Sequence, residues 1–222
     1  MRIRYLQNTD QILENSALLL RQPEHLKGQW KDLHPDADAI HLEIGCGKGH
    51  YIGEMSKKHP EILYLGVEKI STILARSILN IEGDVLHPED ERVIPYNLRL
   101  IRRDALELDA CFEDHEIDRI YLNFPDPWPK DRHAKRRLTS DRFLPLYARW
   151  LAPGGQLHMK TDNTSLFRWS LEQLEAGGWQ ILFQSDDWHA EPESAEDVRT
   201  EYEIQFSSQG KKIHKLTAMR IC

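Results

Sequence analysis

Apolar residues in this chain fall into two alternating patterns, short runs and runs with helical spacing. The short runs, some continuous and others, such as residues 117–123, alternating with polar residues, predict seven strands at residues 39–44, 62–67, 98–102, 117–123, 156–161, 179–183 and 213–219. Apolar positions three and four residues apart predict helices at residues 10–20, 51–58, 70–81, 140–151 and 166–174. This alternation predicts an α/β fold, in which helices cover both faces of a mostly parallel, seven-stranded sheet.

The alternation of strands and helices begins only at residue 39. Residues 1–38 contain one helical pattern and then a stretch that proline and glycine interrupt. We therefore expect residues 1–38 to form an N-terminal arm that packs on a single domain of residues 39–222. The length of 222 residues agrees with this division, because it suffices for one well-buried domain and is short for two.

Charge is distributed unevenly along the sequence. The formal net charge of −7 argues at first sight against a nucleic-acid partner. Acidic residues, however, concentrate at residues 82–91 and 186–197. A short stretch elsewhere collects five basic residues, namely Lys130, Arg132, Lys135, Arg136 and Arg137. Because phosphate binding depends on such local clusters more than on total charge, this stretch is a candidate nucleic-acid contact.

The sequence disfavours several classes of protein. No apolar run approaches the roughly 20 residues that a membrane span requires, and the first residues lack the apolar core of a secretion signal. The three cysteines, Cys46, Cys111 and Cys222, are odd in number and have no Cys-x-x-Cys spacing. We therefore expect a cytoplasmic protein with neither a disulfide framework nor a metal site.

A glycine-rich turn separates the first predicted strand from the helix after it and contains Gly45, Gly47 and Gly49. Glycines in such a turn let a ligand approach the main chain at the carboxyl edge of a parallel sheet. Glu68 ends the second strand, where a carboxylate can accept hydrogen bonds from two ribose hydroxyls. Asp104 and Ala105 come just after the third strand, where the carboxylate could meet an adenine amino group. These positions predict a cofactor that carries a nucleoside.

Two kinds of cofactor fit these glycines and acids. A nicotinamide dinucleotide usually requires Gly-x-Gly-x-x-Gly, because its pyrophosphate lies at the N-terminus of the helix. Here the third glycine comes one residue earlier, and Glu43 in the first strand would face the phosphates. S-adenosylmethionine has no phosphate, and Glu43 lies close to where its methionine amine would bind. A methyltransferase is therefore favoured over an oxidoreductase, although the glycines alone also fit an ordinary tight turn.

A proline-rich loop follows the fourth predicted strand and should lie at the same edge of the sheet. Pro125, Pro127 and Pro129 restrict the main chain around Asp126, which would give a preorganised carboxylate. Trp128 offers a flat face on which a base could stack, and the cations after it could bind phosphates. Such a loop can also merely turn the chain, with the tryptophan in the core. The combination favours a polyanion that carries a base.

Taken together, the motifs resemble those of the bacterial tRNA (guanine-N7)-methyltransferase family. The resemblance is carried by Glu43-Ile-Gly-Cys-Gly-Lys-Gly49, Gly66-Val-Glu68, Asn123-Phe-Pro-Asp-Pro-Trp-Pro-Lys130, Arg132-His-Ala-Lys-Arg-Arg-Leu138, Thr161-Asp-Asn163 and Thr200-Glu-Tyr-Glu203. The motifs occur in this order and cover nearly everything from about residue 26 to the C-terminus. The acidic stretch at residues 83–95 is longer than the family usually has, and we expect it to alter only a surface loop.

The resemblance implies a Rossmann-like class I methyltransferase fold, S-adenosylmethionine as cofactor, and the guanine at position 46 of the tRNA variable loop as acceptor. It implies that the cofactor is bound by Glu43, Gly45, Gly47, Gly49, Glu68, Asp104, Ala105 and Asp126. Asp126 would also be the catalytic residue. The tRNA would contact Lys130, Asp162, Thr200, Glu201, Tyr202 and Glu203, and its phosphates would contact Arg132, Lys135, Arg136 and Arg137. The enzyme would be a monomer or a homodimer.

Some of these positions have a second interpretation. Thr200-x-x-Glu203 is also the pattern of a helix capping box, and both roles can coexist. Asp162 could instead cap the helix that follows it. For the whole chain, the alternatives are an amino-group methyltransferase acting on another nucleic acid or a protein, and a tRNA-binding subunit without activity. The order Asp126-Pro-Trp departs from the loop of amino-group methyltransferases, and the acids predicted to bind the cofactor argue against a subunit that only binds tRNA.

Overall fold

The computed structural model describes residues 5–87 and 94–221. The chain forms two compact units, Met1–Phe112 and Glu113–Cys222. The predicted boundary between an arm and a domain, at residue 38, lies within the first unit and stays a prediction. Cys222 and residues 88–93 of the acidic stretch at residues 83–95 lie outside the described residues.

The first unit is built from parallel strands and three helices. Its elements in chain order are α1 (Thr9–Asn15), β1 (Leu19–Leu20), β2 (Ala39–Ile44), α2 (His50–Lys58), β3 (Ile62–Val67), α3 (Ser71–Glu82) and β4 (Leu98–Ile101), with 3-10 helices at Pro23–Leu26, Trp30–Leu33 and Ala105–Ala110. The strand order is β1-β4-β3-β2, and each neighbouring pair is parallel. The strands β2 and β3 have the predicted bounds, because almost every residue in them is buried, as in a sheet covered on both faces.

The helix predicted at residues 10–20 is wrong in its second half. The helix α1 ends early, and the two leucines that form β1 pair with the end of β4 instead. The buried carboxylate of Glu82, at the end of α3, accepts hydrogen bonds from the Ser16 hydroxyl (2.8 Å) and the Ala17 amide (3.1 Å). These bonds give the Ser16 hydroxyl and the Ala17 amide acceptors outside α1, so the chain can leave the helix without burying unpaired donors. The described residues therefore contain eight strands, not the predicted seven.

The second unit combines parallel and antiparallel strands. Its elements are β5 (Ile117–Asn123), α4 (Leu144–Trp150), β6 (Leu151–Thr161), α5 (Thr164–Ala176), β7 (Trp179–Ser185), α6 (Glu201–Ser207) and β8 (His214–Arg220), with 3-10 helices at Asp131–Arg136, Trp188–Ala190 and Pro192–Glu196. The strand order is β5-β6-β8-β7. The strands β5 and β6 are parallel, whereas β8 runs antiparallel to β6 and to β7. The predicted α/β class with mostly parallel strands is confirmed.

Two boundaries in the second unit differ from the prediction by four residues or more. The helix α4 begins four residues later than predicted, after a turn. The strand β6 begins at Leu151 rather than at residue 156, because Leu151 already pairs with Ile117 before the register shifts. The glycines Gly154 and Gly155 thus interrupt the pairing without ending the strand. No helix in the described ranges is both long and apolar enough to cross a membrane.

The start of α2 is packed closely against α3. Gly49 has a φ of +77°, and a Cβ atom built on it would lie 2.2 Å from the Ser77 hydroxyl oxygen and 2.7 Å from the δ-carbon of Ile81. Alanine at this position would therefore be penalised twice, once by the left-handed main chain and once by the clash with α3.

We expect Gly49→Ala to lower the free energy of unfolding by about 3 kcal/mol, measured by urea denaturation. Gly154→Ala is the matched control, because Gly154 has a φ of +83° but open space where its Cβ atom would lie. The control should cost about 1–2 kcal/mol, since only the left-handed main chain penalises it. Equal losses in the two variants would show that packing against α3 contributes nothing.

Candidate active site

The glycine turn after β2 presents open space to a ligand. The amides of Gly45 and Cys46 both donate to the carbonyl oxygen of Val67 (2.8 and 2.9 Å), which fixes the turn at the end of β3. A Cβ atom on Gly45 would have no neighbour within 4 Å, and one on Gly47 would only approach a carbonyl oxygen at 4.0 Å. These two glycines therefore fit the predicted cofactor contact, whereas packing against α3 already explains the third, Gly49.

Glu68 follows β3 and is buried beside this turn. Its carboxylate accepts a hydrogen bond from the amide of Ile70 at 2.9 Å, and the amides of Lys69 and Gly47 also contact it. Burial raises the pKa of Glu68 above its ordinary value, and the three main-chain amides offset only part of this effect. A largely buried carboxylate at this place could accept hydrogen bonds from the two hydroxyls of a ribose. These hydroxyls would add to the hydrogen bonds that the main-chain amides donate to Glu68.

Glu43 lies within β2, opposite Gly66 of β3, and is almost completely buried. Its charge acts on Cys46 in the glycine turn. Burial raises the pKa of the Cys46 thiol well above its ordinary value, and the charges of Glu43 and Glu68 raise it further. Cys46 therefore stays protonated and does not act as a nucleophile.

Asp104 is the N-cap residue of the 3-10 helix Ala105–Ala110. One of its carboxylate oxygens accepts from the amide of Leu106 (3.1 Å), and Glu107 accepts in return from the amide of Asp104 (3.1 Å), which completes a capping box. The second oxygen lies 3.4 Å from the ammonium of Lys69. Because that ion pair is exposed and weak, a polar ligand group could replace it. The predicted contact with adenine stays a prediction.

The loop around Asp126 has an unusual main chain. Phe124 and Trp128 have φ values of 51° and 42°, and each precedes a proline. Residues before proline normally prefer extended conformations, and a left-handed aromatic residue costs about 1–3 kcal/mol. The prolines indicated a restricted loop, but they did not indicate that these two residues adopt left-handed conformations. The exposed Asp126 lies between these two left-handed residues.

Several contacts hold this loop in place. The amide of Phe124 donates to the carbonyl oxygen of Lys160 in β6 at 2.8 Å. The guanidinium of Arg137 donates to the carbonyl oxygens of Pro127 and Trp128, both at 3.1 Å. These bonds fix the main chain on both sides of Asp126.

The five basic residues after the loop divide into two groups. Four of them are exposed, namely Lys130, Arg132, Lys135 and Arg136. The guanidinium of Arg136 lies 4.9 Å from the ring centre of Trp128. Arg137, in contrast, is buried and stacks on Trp169 at 4.5 Å. Arg137 therefore braces the loop, which the sequence did not reveal, whereas the other four face solvent and can meet phosphates.

The Thr200–Glu203 segment forms the capping box at the start of α6. The Thr200 hydroxyl accepts from the amide of Glu203 at 2.9 Å, and Glu203 accepts from the amide of Thr200. Glu203 is fully buried, Glu201 is exposed, and the ring of Tyr202 packs 6.4 Å from that of Phe124. The predicted cap is confirmed, and the predicted contacts with tRNA stay predictions.

Asp162 follows β6 and forms an ion pair with Lys211 at 2.8 Å. Its alternative role as a helix cap is wrong, because the side chain of Asn163 accepts from the amide of Leu166 and caps α5. The carboxylate of Asp162 remains partly exposed.

Sequence reasoning missed the buried Lys160, whose ammonium contacts the carboxylates of Asp197 (3.2 Å) and Glu203 (2.7 Å). A lysine within a predicted strand was the available signal, because a charge buried in a strand requires partners. Among the described residues, no group of three His, Cys, Asp or Glu side chains is arranged to hold a metal ion.

Comparison with known proteins places this chain in a family. Residues 37–216 match a family model described as "Putative methyltransferase". A tRNA (guanine-N(7)-)-methyltransferase of Lachnoclostridium phytofermentans is 41% identical over 223 residues, which cover 99% of each chain. A protein of the same name from Listeria monocytogenes is 43% identical over 210 residues, which cover 94% of this chain and 93% of the other.

The chain belongs to the tRNA (guanine-N(7)-)-methyltransferase family. The resemblance inferred from the motifs is thereby confirmed. Solved structures with similar folds include the 16S rRNA methyltransferase KamB, with a TM-score of 0.62, 14% identity and coverage of 87% of this chain and 94% of the other. A 16S rRNA (adenine(1408)-N(1))-methyltransferase from Catenulisporales acidiphilia, solved with its cosubstrate SAM, has a TM-score of 0.59, 15% identity and coverage of 88% and 91%. This family member therefore has the Rossmann-like class I methyltransferase fold that the motifs implied.

The raised pKa of Glu68 gives this methyltransferase an expected pH dependence of cofactor binding. Only the ionised carboxylate can accept hydrogen bonds from both ribose hydroxyls. The affinity for S-adenosylmethionine should therefore fall as the pH falls through the raised pKa, at a higher pH than for an ordinary glutamate. Glu68→Gln should weaken binding about 10- to 100-fold at pH 7 and remove this pH dependence, as measured by calorimetry.

The same substitution should not lower the urea midpoint at pH 7. A raised folded-state pKa means that the ionised carboxylate costs stability above that pKa, and glutamine removes this cost. Glu61→Gln is the control, since Glu61 is exposed and lies just before β3, the strand that Glu68 follows. Unchanged affinity in Glu68→Gln would exclude the ribose contact.

Proposed function

We propose that this protein transfers the methyl group of S-adenosylmethionine to N7 of a guanine in tRNA, the guanine at position 46 of the variable loop. The observation that carries the proposal is the loop around Asp126, where an exposed carboxylate is fixed between two left-handed residues and followed by four exposed cations. The names of the relatives at 41–43% identity support the same activity.

The residues of the first unit fit S-adenosylmethionine. The open space in front of Gly45 and Gly47 would admit it, Glu68 would bind the ribose, and Asp104 with Ala105 would contact the adenine. Glu43 would bind the amino group of the methionine part. When bound, S-adenosylmethionine supplies a methyl group that its sulfonium already activates.

The acceptor chemistry requires little of the protein beyond alignment and charge. Guanine N7 carries an in-plane lone pair and no proton, so the reaction needs no general base. The residues that hold the guanine would contribute by orienting N7 for in-line attack. Because the methylated guanine is cationic, the carboxylate of Asp126 would stabilise the charge that develops on it, or accept hydrogen bonds from the base.

The tRNA would lie along the exposed side chains of the second unit. Lys130, Arg132, Lys135 and Arg136 would contact phosphates, and Asp162 with the Thr200–Glu203 segment would contact the region of the acceptor guanine. Arg137 would act by bracing the loop, and the buried Glu203 by holding α6. We further infer a cytoplasmic enzyme, active as a monomer or a homodimer, whose first 38 residues form the arm.

The test of the proposal uses labelled S-adenosylmethionine, an unmodified tRNA transcript and chemical cleavage at N7-methylguanine. We expect label at a guanine of the variable loop. Asp126→Asn should lower kcat about 10²- to 10³-fold with nearly unchanged tRNA binding, because it removes one preorganised charge from the reacting base. Asp131→Asn is the matched control, since Asp131 is an exposed aspartate of the same segment.

Full turnover by Asp126→Asn would exclude the electrostatic role. Label elsewhere on the RNA would retain the methyltransferase and exclude the acceptor. Absence of label despite cofactor binding would favour an amino group of another nucleic acid or a protein as acceptor. A failure to bind the cofactor as well would favour a subunit that only binds tRNA.

The salt dependence of tRNA binding should distinguish the exposed cations from Arg137. Methionine should replace Lys130, Lys135 or Arg136 in three separate variants. Each variant should reduce the slope of the logarithm of the tRNA binding constant against the logarithm of the salt concentration by about one unit, because one phosphate contact is lost. Arg137→Lys keeps the charge and should leave the slope unchanged while lowering turnover, since lysine cannot donate to both loop carbonyls. Lys57→Met, at an exposed lysine of the first unit, is the control for lost charge.

A further inference from the structure

Lys160 is the most completely buried lysine among the described residues, with 3% of its surface exposed. Its ammonium lies 2.7 Å from a carboxylate oxygen of Glu203, 3.2 Å from one of Asp197 and 3.0 Å from the carbonyl oxygen of Val198. All three partners belong to the segment that leads into α6 and to its first turn. The side chain of Lys160 therefore ties that segment to the end of β6.

The main chain of the same residue holds the loop around Asp126. The carbonyl oxygen of Lys160 accepts from the amide of Phe124, the first residue of that loop, at 2.8 Å. The ring of Phe124 in turn packs against Tyr202 and Phe206 of α6, at 6.4 and 6.2 Å between ring centres. One residue thus contacts both parts of the candidate tRNA site, the loop through its carbonyl oxygen and the start of α6 through its ammonium.

The charge of Lys160 is balanced within the interior of the second unit. Burial by itself raises the pKa of Asp197, but the charges of Lys160 and Lys215 and the hydrogen bonds from Lys160 and Trp188 outweigh it, so that the pKa lies below its ordinary value. His189 contacts the other oxygen of Glu203 at 2.8 Å. Asp197 is therefore held in its ionised form, and removing the lysine would leave two buried acids competing for the remaining donors.

We propose that Lys160 is a positioning residue for methyl transfer, which fixes the placement of the Asp126 loop relative to the Thr200–Glu203 segment without contacting tRNA or cofactor itself. The inference rests on the proposed function, because it assigns a task to Lys160 within that tRNA site. A lysine that merely filled a core position would affect stability and leave the properties of the tRNA site unchanged.

Lys215 provides the matched control for this distinction. It is also largely buried, its ammonium lies 3.4 Å from the same oxygen of Asp197, and it stacks on Trp188 at 3.4 Å. Its hydrogen bond is made to Asp197 alone and not to Glu203, Val198 or Phe124 among the described residues. Lys215→Met therefore disturbs the same charged cluster but leaves both connections of Lys160 intact.

The experiment compares Lys160→Met with Lys215→Met in steady-state methylation of tRNA transcript, calorimetric binding of S-adenosylmethionine and thermal unfolding. We expect both variants to lose stability and to keep the affinity for the cofactor. Lys160→Met alone should raise the KM for tRNA about tenfold and lower kcat at least as much, because the two parts of the site lose their alignment. Equal kinetic effects of the two substitutions, or an unchanged KM in Lys160→Met, would overturn the proposal.

Two further measurements cover a variant that does not fold and an enzyme without the proposed activity. If Lys160→Met does not fold, Asp197→Asn decides, since it weakens one side of the tether and should raise the KM for tRNA more than Lys215→Met does. If the unaltered protein does not methylate tRNA, the proposed function fails, and hydrogen exchange tests the tether separately. Joint loss of protection at the amides of Phe124 and Glu203 in Lys160→Met, but not in Lys215→Met, supports it, and any other pattern overturns it.

Discussion

The ammonium group of Lys160 sits among two carboxylates and a carbonyl oxygen in the interior of the second unit, and the start of α6 and the segment before it depend on this arrangement for their attachment to β6. Breaking a buried ion pair by removing one partner typically costs about 3–5 kcal/mol, whereas replacing the whole pair with apolar residues can be neutral. The presence of this charged cluster is therefore better explained by the geometry that it imposes on the segment before α6 than by a gain in the free energy of unfolding. It ties the start of α6 to the end of β6, and aromatic side chains of α6 pack against the left-handed Phe124.

Residues in one motif can be required for different physical reasons. Within the glycine turn, Gly45 and Gly47 border open space, whereas Gly49 is required by the neighbouring helix. Within the basic stretch, Arg137 turns inward to the loop carbonyls while its neighbours face solvent. A motif therefore indicates that its residues act at one place, but it does not separate those that bind a ligand from those that shape the binding surface.

The strands β2, β3 and β5 could be predicted from sequence because a buried strand needs only a run of apolar residues, which is local information. The motifs also indicated the family and the candidate site residues. Features that depend on distant residues could not be predicted in this way. Ser16 and Glu82 are 66 positions apart, yet their hydrogen bond helps to end α1, and Lys160 and Glu203 are 43 positions apart. The left-handed Phe124 and Trp128 even oppose the local preference, since tertiary contacts outweigh the effect of the following prolines.

The short strand β1 covers part of an edge of the sheet. It occupies the outer edge of β4, where unpaired amides and carbonyls would offer a template for strand addition by another chain. The two residues of β1 cover the last two residues of β4, and so short a strand offers little edge of its own to a further strand. A chain that lacked its first twenty residues would retain every candidate site residue, yet it would expose this edge and gain a route to aggregation that has nothing to do with its chemistry.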